Sequence, residues 1–194
     1  LEFVFPKEHK ENVKPNLSFC GKFVASGGQD RKVKVWNMET HECMTLEGQT
    51  VWAIGGCFSP CRKFVASGAE DGTVNVWNTE TRECMTLEGH TSWVYCLAFS
   101  PCGNFLASGA LDGKIKVWNL NTRECMTLEG HVRNVRCVVY SPCGQFLASG
   151  GLDVKVKVWN LKTRECMTLK GHTNWVNGLC FSPCGNFVAS GSDD

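Results

Sequence analysis

Residues 107–119 read Ala-Ser-Gly-Ala-Leu-Asp-Gly-Lys-Ile-Lys-Val-Trp-Asn, and this run decides the fold. Its second half alternates with period two, so Ile115 and Val117 share one face of a strand and Trp118 takes the other. Its first half closes an earlier strand with a turn, Gly109 to Gly113. The run returns at residues 25–37, 66–78 and 148–160, which puts Trp36, Trp77, Trp118 and Trp159 at intervals of 41 residues. A fixed period of this length marks a chain built by copying one supersecondary unit.

The rest of the unit extends outward from that run. Trp93 to Phe99 is an apolar, β-prone stretch ended by the turn Ser100-Pro101-Cys102-Gly103. Asn104 to Ser108 reads as a second strand and Lys114 to Trp118 as a third. Glu124 to Leu128 is a fourth, after the turn from Asn119 to Arg123. No helical periodicity competes with this alternation, so the fold class is all-β, with four-stranded antiparallel sheets. A single such sheet cannot bury both of its faces, and neighbouring units must stack.

Other features keep the same step. Gly89-His90, Gly130-His131 and Gly171-His172 recur, with Gly48-Gln49 as a variant, and Ala-Ser-Gly-x-x-Asp runs end at Asp30, Asp71, Asp112, Asp153 and Asp194. With Val-Trp-Asn, these steps resemble the WD-repeat β-propeller family, Asn standing in place of the final Asp of its dipeptide. The resemblance implies a β-propeller arc of about four and a half repeats. Residues 1–7 align with the outer strand of a preceding blade, 8–48 with a degenerate first repeat, and 49–89, 90–130 and 131–171 with the next three. Residues 172–194 are a truncated fifth, so the chain is expected to be part of a larger propeller of seven or more blades, or to associate edge to edge. The chain opens on Leu1 rather than Met, in keeping with that expectation. In the first repeat, Pro15 in the inner strand, Lys7-Glu8 and a displaced His9 at the Gly-His step, and Phe19 for the turn Pro predict a distorted or partly displaced strand.

Composition narrows the function classes. Hydrophobic residues make up 43% and charged residues 20% of 194, a globular balance. Twenty basic against nineteen acidic side chains leave a net charge of +1, too little for a binder that neutralises many phosphates. No apolar run approaches the length of a membrane span, and Leu1 to Lys7 does not read as a secretory leader. The thirteen cysteines recur at copied positions rather than in complementary pairs, and no CxxC occurs. Free thiols in a reducing, intracellular compartment, cytoplasmic or nuclear, are expected, with no metal and no cofactor. The glycines read as turn residues, and no phosphate-cradling loop is present.

His90, Ser108 and Asp112 have the composition of a nucleophilic triad. The set recurs as His131, Ser149 and Asp153 and again as His172, Ser190 and Asp194, and an enzyme needs one nucleophile rather than one per unit. The family resemblance implies a structural tetrad instead: His90, Ser108, Asp112 and Trp118; His131, Ser149, Asp153 and Trp159; and, with Gln for His, Gln49, Ser67, Asp71 and Trp77. No catalytic residue is expected.

Because the units are near copies, the positions that vary between them carry the information. Phe64, Phe105, Phe146 and Phe187 are constant. Three sets differ: Trp52, Trp93, Asn134 and Trp175; two residues on, Ile54, Tyr95, Arg136 and Asn177; and before the turn Asp, Gln29, Glu70, Leu111, Leu152 and Asp193. Period two puts the first two sets on one face of the inner strand. The resemblance implies that all three lie on the top face, where the family docks peptides and proteins. Trp, Tyr and Arg dominate binding hot spots. Trp52, Ile54, Trp93, Tyr95, Leu111, Arg136, Leu152, Trp175 and Asn177 are therefore the candidate partner-binding residues. The reading is a non-catalytic scaffold for a protein or peptide ligand. A recognition or sensor array of a larger regulatory protein is the alternative. Neither nucleic acid nor membrane is expected as a partner.

Overall fold

The computed structural model describes residues 14–18 and 20–194, which form strands and no helix. The first sheet comprises β1 (Lys14–Leu17), β2 (Phe23–Gly27), β3 (Val33–Asn37) and β4 (Cys43–Leu46). The second holds β5 (Ala53–Phe58), β6 (Phe64–Ala69), β7 (Val74–Asn78) and β8 (Cys84–Leu87). The third has β9 (Val94–Phe99), β10 (Phe105–Ala110), β11 (Ile115–Asn119) and β12 (Cys125–Leu128). The fourth has β13 (Val135–Tyr140), β14 (Phe146–Gly151), β15 (Val156–Asn160) and β16 (Cys166–Leu169), and β17 (Val176–Phe181) pairs with β18 (Val188–Ser192). Every sheet is an antiparallel meander in chain order. The inner strands β1, β5, β9, β13 and β17 each pack on the next, giving an arc that is not closed into a ring.

The turns follow from side-chain acceptors at fixed offsets. Asn119 Oδ1 accepts the N–H groups of Asn121 and Thr122 at 3.0 and 3.2 Å, and Asn37, Asn78 and Asn160 do the same in their units. This Asx turn gives the Asn of Val-Trp-Asn a local role. At the opposite end of the sheet, Ser100 Oγ accepts the Phe105 N–H at 3.0 Å while Gly103 N–H reaches the Ser100 carbonyl.

The core lies between sheets. Val74, Val76, Leu87, Val94, Leu106 and Trp118 form one cluster joining the second and third sheets, and Ile115, Val117, Leu128, Val135, Leu147 and Trp159 form the next. Trp77, Trp118 and Trp159 are therefore each buried against the preceding sheet, which is why one unit cannot stand alone.

Three expectations are corrected by the backbone. Gly109 is not in a turn; it lies inside β10 opposite Ile115. A Cβ there would stand 2.5 Å from Val135 Cγ1 and 2.7 Å from Cys96 Sγ, and the equivalents of Gly68 and Gly150 would meet the following inner strand equally closely. Glycine is needed for close approach of the next sheet rather than for its φ. Period two also fails along the inner strands β5, β9, β13 and β17. Val94 pairs with Ala110 and Cys96 with Gly109, so Tyr95 is the extra residue of a β-bulge, as are Arg136 and Asn177 in their strands. Finally, β1 is short but not displaced, because Lys14 to Leu17 pair in unbroken register with Gly27 to Val24. An inner strand has a ladder partner on one side only, so a proline can sit in it without breaking the sheet. The expectations for Leu1–Lys7, Glu8, His9 and Phe19 lie outside the described residues.

Candidate functional site

Two arrangements compete for the role of functional site: the buried polar sets and the variable surface at the start of the inner strands. In the third unit, His90 Nδ1 lies 2.9 Å from Asp112 Oδ2 and Nε2 lies 2.8 Å from Ser108 Oγ, which also accepts the Trp118 Nε1–H at 2.8 Å. The fourth unit repeats this with His131 Nε2 to Ser149 Oγ at 2.8 Å, His131 Nδ1 to Asp153 at 2.9 Å and Trp159 to Ser149 at 2.8 Å. The indole can only donate and the Asp112 carboxylate can only accept, so Ser108 accepts the indole proton and Nδ1 carries the imidazole proton; in the neutral ring Nε2 then accepts from the Ser108 hydroxyl. Burial holds His90 and His131 below the ordinary histidine range, against the opposing pull of the carboxylate. Burial also raises the Asp112 carboxyl, but hydrogen bonds from the Lys114 N–H, His90 and the Thr91 N–H outweigh it and keep Asp112 low.

The connectivity is that of a triad, but the surroundings are not. Ser108 and Ser149 are both 0% exposed, so no substrate reaches the hydroxyl. What the arrangement does is satisfy every member of a buried network and tie the strand-joining turn to β10 and β11. His172, Ser190 and Asp194 keep the same bonds, at 2.7 Å to Ser190 and 3.0 Å to Asp194, in a more exposed setting beside a cavity of about 390 Å³.

The second unit does not form the predicted tetrad. Ser67 donates to Gln49 Oε1 at 3.1 Å, but the Trp77 indole turns to the Glu47 carbonyl at 2.7 Å, and Asp71 accepts from the Thr73 backbone and hydroxyl. Asn75, where the other described units carry Lys, donates to Gln49 Oε1 at 2.9 Å and accepts from Thr86 at 2.7 Å. Gln49 Nε2 is buried without a partner. Imidazole carries Nδ1 near the backbone and Nε2 at its tip, whereas the Gln amide carries both functions at its tip; Gln49 spends its oxygen on Ser67 and Asn75 and reaches Asp71 with neither function. In the first unit, Trp36 still donates to Ser26 at 3.2 Å.

The variable positions behave differently. Trp52 and Trp93 meet edge to face with ring centroids 5.9 Å apart, Trp93 and Tyr95 lie 6.2 Å apart, and the Arg136 guanidinium sits 5.1 Å over the Tyr95 ring. Three inner strands thus contribute one continuous row. The bulges at Tyr95 and Arg136 re-aim these side chains along the row rather than across the sheet. A cavity of about 170 Å³ opens among Gln29, Trp52, Ile54, Trp93 and Tyr95. A second, of about 240 Å³, is lined by Asn16, Ile54, Gly55, Tyr95, Leu97 and Arg136. No carboxylate is within ion-pairing distance of Arg136 among the described residues.

The remaining predicted residues stand apart from this row. Leu111 and Leu152 are half-buried, and their N–H groups reach the carbonyls of Trp93 and Asn134 at 2.9 Å. Trp175 is exposed, and Asn177 donates to Asp193 at 2.7 Å. Asn134 holds the position between Trp93 and Trp175, and no ring contact joins Trp175 to the row among the described residues. Sequence reasoning missed Asn16, whose role depends on how β1 abuts β5, and the inner-strand bulges, which no residue type announces. No group of His, Cys, Asp and Glu side chains is placed to hold a metal among the described residues.

The WD domain, G-beta repeat family model matches residues 7–37, 41–78, 81–119, 122–160 and 163–194. The chain belongs to the WD-repeat family. From the second onward, each match begins ahead of an outer strand and, through the fourth, ends on the Asn that closes the Trp-bearing strand of the next blade, so one repeat bridges two blades. A comparison with curated protein sequences found no match. WD repeats generally mediate protein–protein interaction and are typically non-enzymatic scaffolds. No helix among the described residues is long and apolar enough to cross a membrane.

Proposed function

We propose that this WD-repeat chain is a non-catalytic scaffold that receives a peptide segment of a partner protein on its top face, along the row from Trp52 to Arg136. The observation that carries this reading is the unbroken chain of contacts Trp52–Trp93–Tyr95–Arg136 across three blades. It joins large rigid rings, which lose little entropy on binding, to a guanidinium without a carboxylate partner among the described residues. The cavity beneath Trp52 and Trp93 suits an apolar side chain, and Arg136 suits a carboxylate nearby on the same segment. Leu111, Leu152, Trp175 and Asn177 would border this surface rather than anchor it. The blade boundaries 49–89, 90–130 and 131–171 belong to the same proposal.

The test is selection of peptides from a displayed random library against the purified chain, followed by affinity measurement on the Tyr95→Ala, Arg136→Ala double variant. Selected peptides are expected to lose at least about tenfold in affinity on the double variant, the effect of removing hot-spot side chains. The variant's melting temperature should stay near that of the parent. Peptides that bind parent and variant alike would overturn the assignment.

A further inference from the structure

The surroundings of the thirteen cysteine thiols differ by position in the repeat. On the inner strands, burial pushes the Cys57 thiol up to about 12 and the Cys137 thiol up to about 11. Cys96 and Cys137 also donate to the carbonyls of Gly109 and Gly150 at 3.7 Å. On the outer strands, burial again raises Cys84 and Cys125. The cysteines of the Ser-x-Cys turns behave in the opposite way.

Cys20, Cys61, Cys102, Cys143 and Cys184 are exposed, and each Sγ lies 3.2–3.5 Å from the hydroxyl of the serine two residues earlier. In all five copies that serine Oγ already accepts the N–H of the residue three places after the cysteine, as Ser100 does from Phe105. Its proton is therefore free to point at sulfur, and the N–H two residues beyond the cysteine adds a second donor. The serine hydroxyl is the largest influence in every copy, and all five thiols are held below their ordinary range. The turns also lie side by side: a Cβ on Gly103 would stand 3.9 Å from Pro60, on Gly144 3.5 Å from Pro101, and on Gly185 3.7 Å from Pro142. At one end of the row Arg62, from the second blade's turn, reaches across to Cys20 Sγ at 3.8 Å. Arg62 occupies the place that glycine holds in the neighbouring turns, so this contact has no counterpart in them.

We propose that the five Ser-x-Cys turns form a row of thiol–disulfide exchange sites for low-molecular-weight disulfides, with Cys20 reacting first. The turn thiolate attacks one sulfur of the small disulfide. A new S–S bond forms to the protein, the original S–S bond breaks, and the other half leaves as a thiolate that takes up a proton. One disulfide is consumed and one is made, so no further oxidant is required.

The experiment exposes the folded 194-residue chain to 2-hydroxyethyl disulfide, a neutral probe that Arg62 cannot steer by charge. Modification at each cysteine is followed by peptide-level mass spectrometry, with near-ultraviolet circular dichroism recorded throughout to establish that the chain stays folded. The five turn cysteines are expected to react before Cys84, Cys125, Cys57 and Cys137. Arg62→Gln is expected to slow Cys20 by about threefold or more while leaving Cys102 and Cys143 unchanged. Simultaneous labelling of all cysteines in the folded chain, or a Cys20 rate indifferent to Arg62→Gln, would each overturn the proposal.

Discussion

The second blade and the third carry the same strands, turns and spacing, yet their buried polar interiors are wired differently. In the third, His90 links Asp112, Ser108 and Trp118 into one network with every donor used. In the second, Gln49 reaches Ser67 and Asn75 but neither Asp71 nor Trp77, and its Nε2 is left buried and unpaired. The two blades differ in a second place that answers the first. Lys116 extends over the Trp118 ring at 5.8 Å to bond Thr127, whereas Asn75 turns inward to supply Gln49 with a donor. A WD blade can therefore be held by its inter-blade apolar core with a network only partly satisfied, provided two positions change together. The carboxylate should matter in one blade and hardly at all in the other.

That expectation yields the largest contrast. Asp112→Asn replaces one carboxylate oxygen with an NH2 that faces either the His90 and Thr91 donors or the Lys114 N–H, so at least one N–H loses its acceptor and the remaining bonds lose their charge assistance. A loss of about 1–3 kcal/mol in urea denaturation is expected, the cost of stranding such a group. Asp71→Asn keeps an Oδ1 that can still accept from the Thr73 N–H and hydroxyl at an exposed turn, and should stay within about 0.5 kcal/mol of the parent. Equal losses in the two variants would break the comparison between the blades.

Acidification should separate them next. Burial lowers the folded-state pKa of His90 and His131, so the unfolded chain takes up protons first as pH falls. The stability conferred by the neutral, networked imidazoles is complete above the unfolded value of about 6.5 and is lost progressively as pH drops from there toward the folded pKa, at no more than about 1.4 kcal/mol per pH unit for each histidine. Gln49 has no such dependence. Copying the second blade into the third, as His90→Gln with Lys116→Asn, is expected to remove about half of the slope shared by the two histidines in urea midpoints taken between about pH 7.5 and about pH 5.5. An unchanged slope would mean that His90 does not titrate with folding.

How far the sequence discloses all this depends on which interactions are local. Residues 107–119 suffice for the repeat, the strand order and the antiparallel sheets, because period-two alternation and turn residues act within a few positions. The residues of the aromatic row stand out as differences among copies, though alternation alone misplaces how they come together: Tyr95 and Arg136 sit on bulges that shift the register by one. Gly109 reads as a turn residue because its constraint comes from Val135 in the next blade, which no local pattern contains. The failure of Gln49 to complete a tetrad has a sequence signal of its own. Asn75 departs from the lysine of the other units within the same repeat as Gln49, and such paired departures point to side chains that touch.

That pairing sets the smallest effect and the sharpest test. Gln49→His alone restores the imidazole but withdraws the acceptor that Asn75 Nδ2 uses, exchanging one unpaired buried group for another. Little net change is expected from it. Adding Asn75→Lys removes the stranded amide and supplies an ammonium that can reach Thr86, as Lys116 reaches Thr127 and Lys157 reaches Thr168 at 2.8 Å. Trp77 must also swing its indole from the Glu47 carbonyl to Ser67. The double variant should then exceed the sum of the single changes by about 0.5–1 kcal/mol in a double-mutant cycle read by urea denaturation. Additive single effects would show that Gln49 and Asn75 act independently, and the second blade's wiring would then be two unrelated substitutions rather than one coupled alternative.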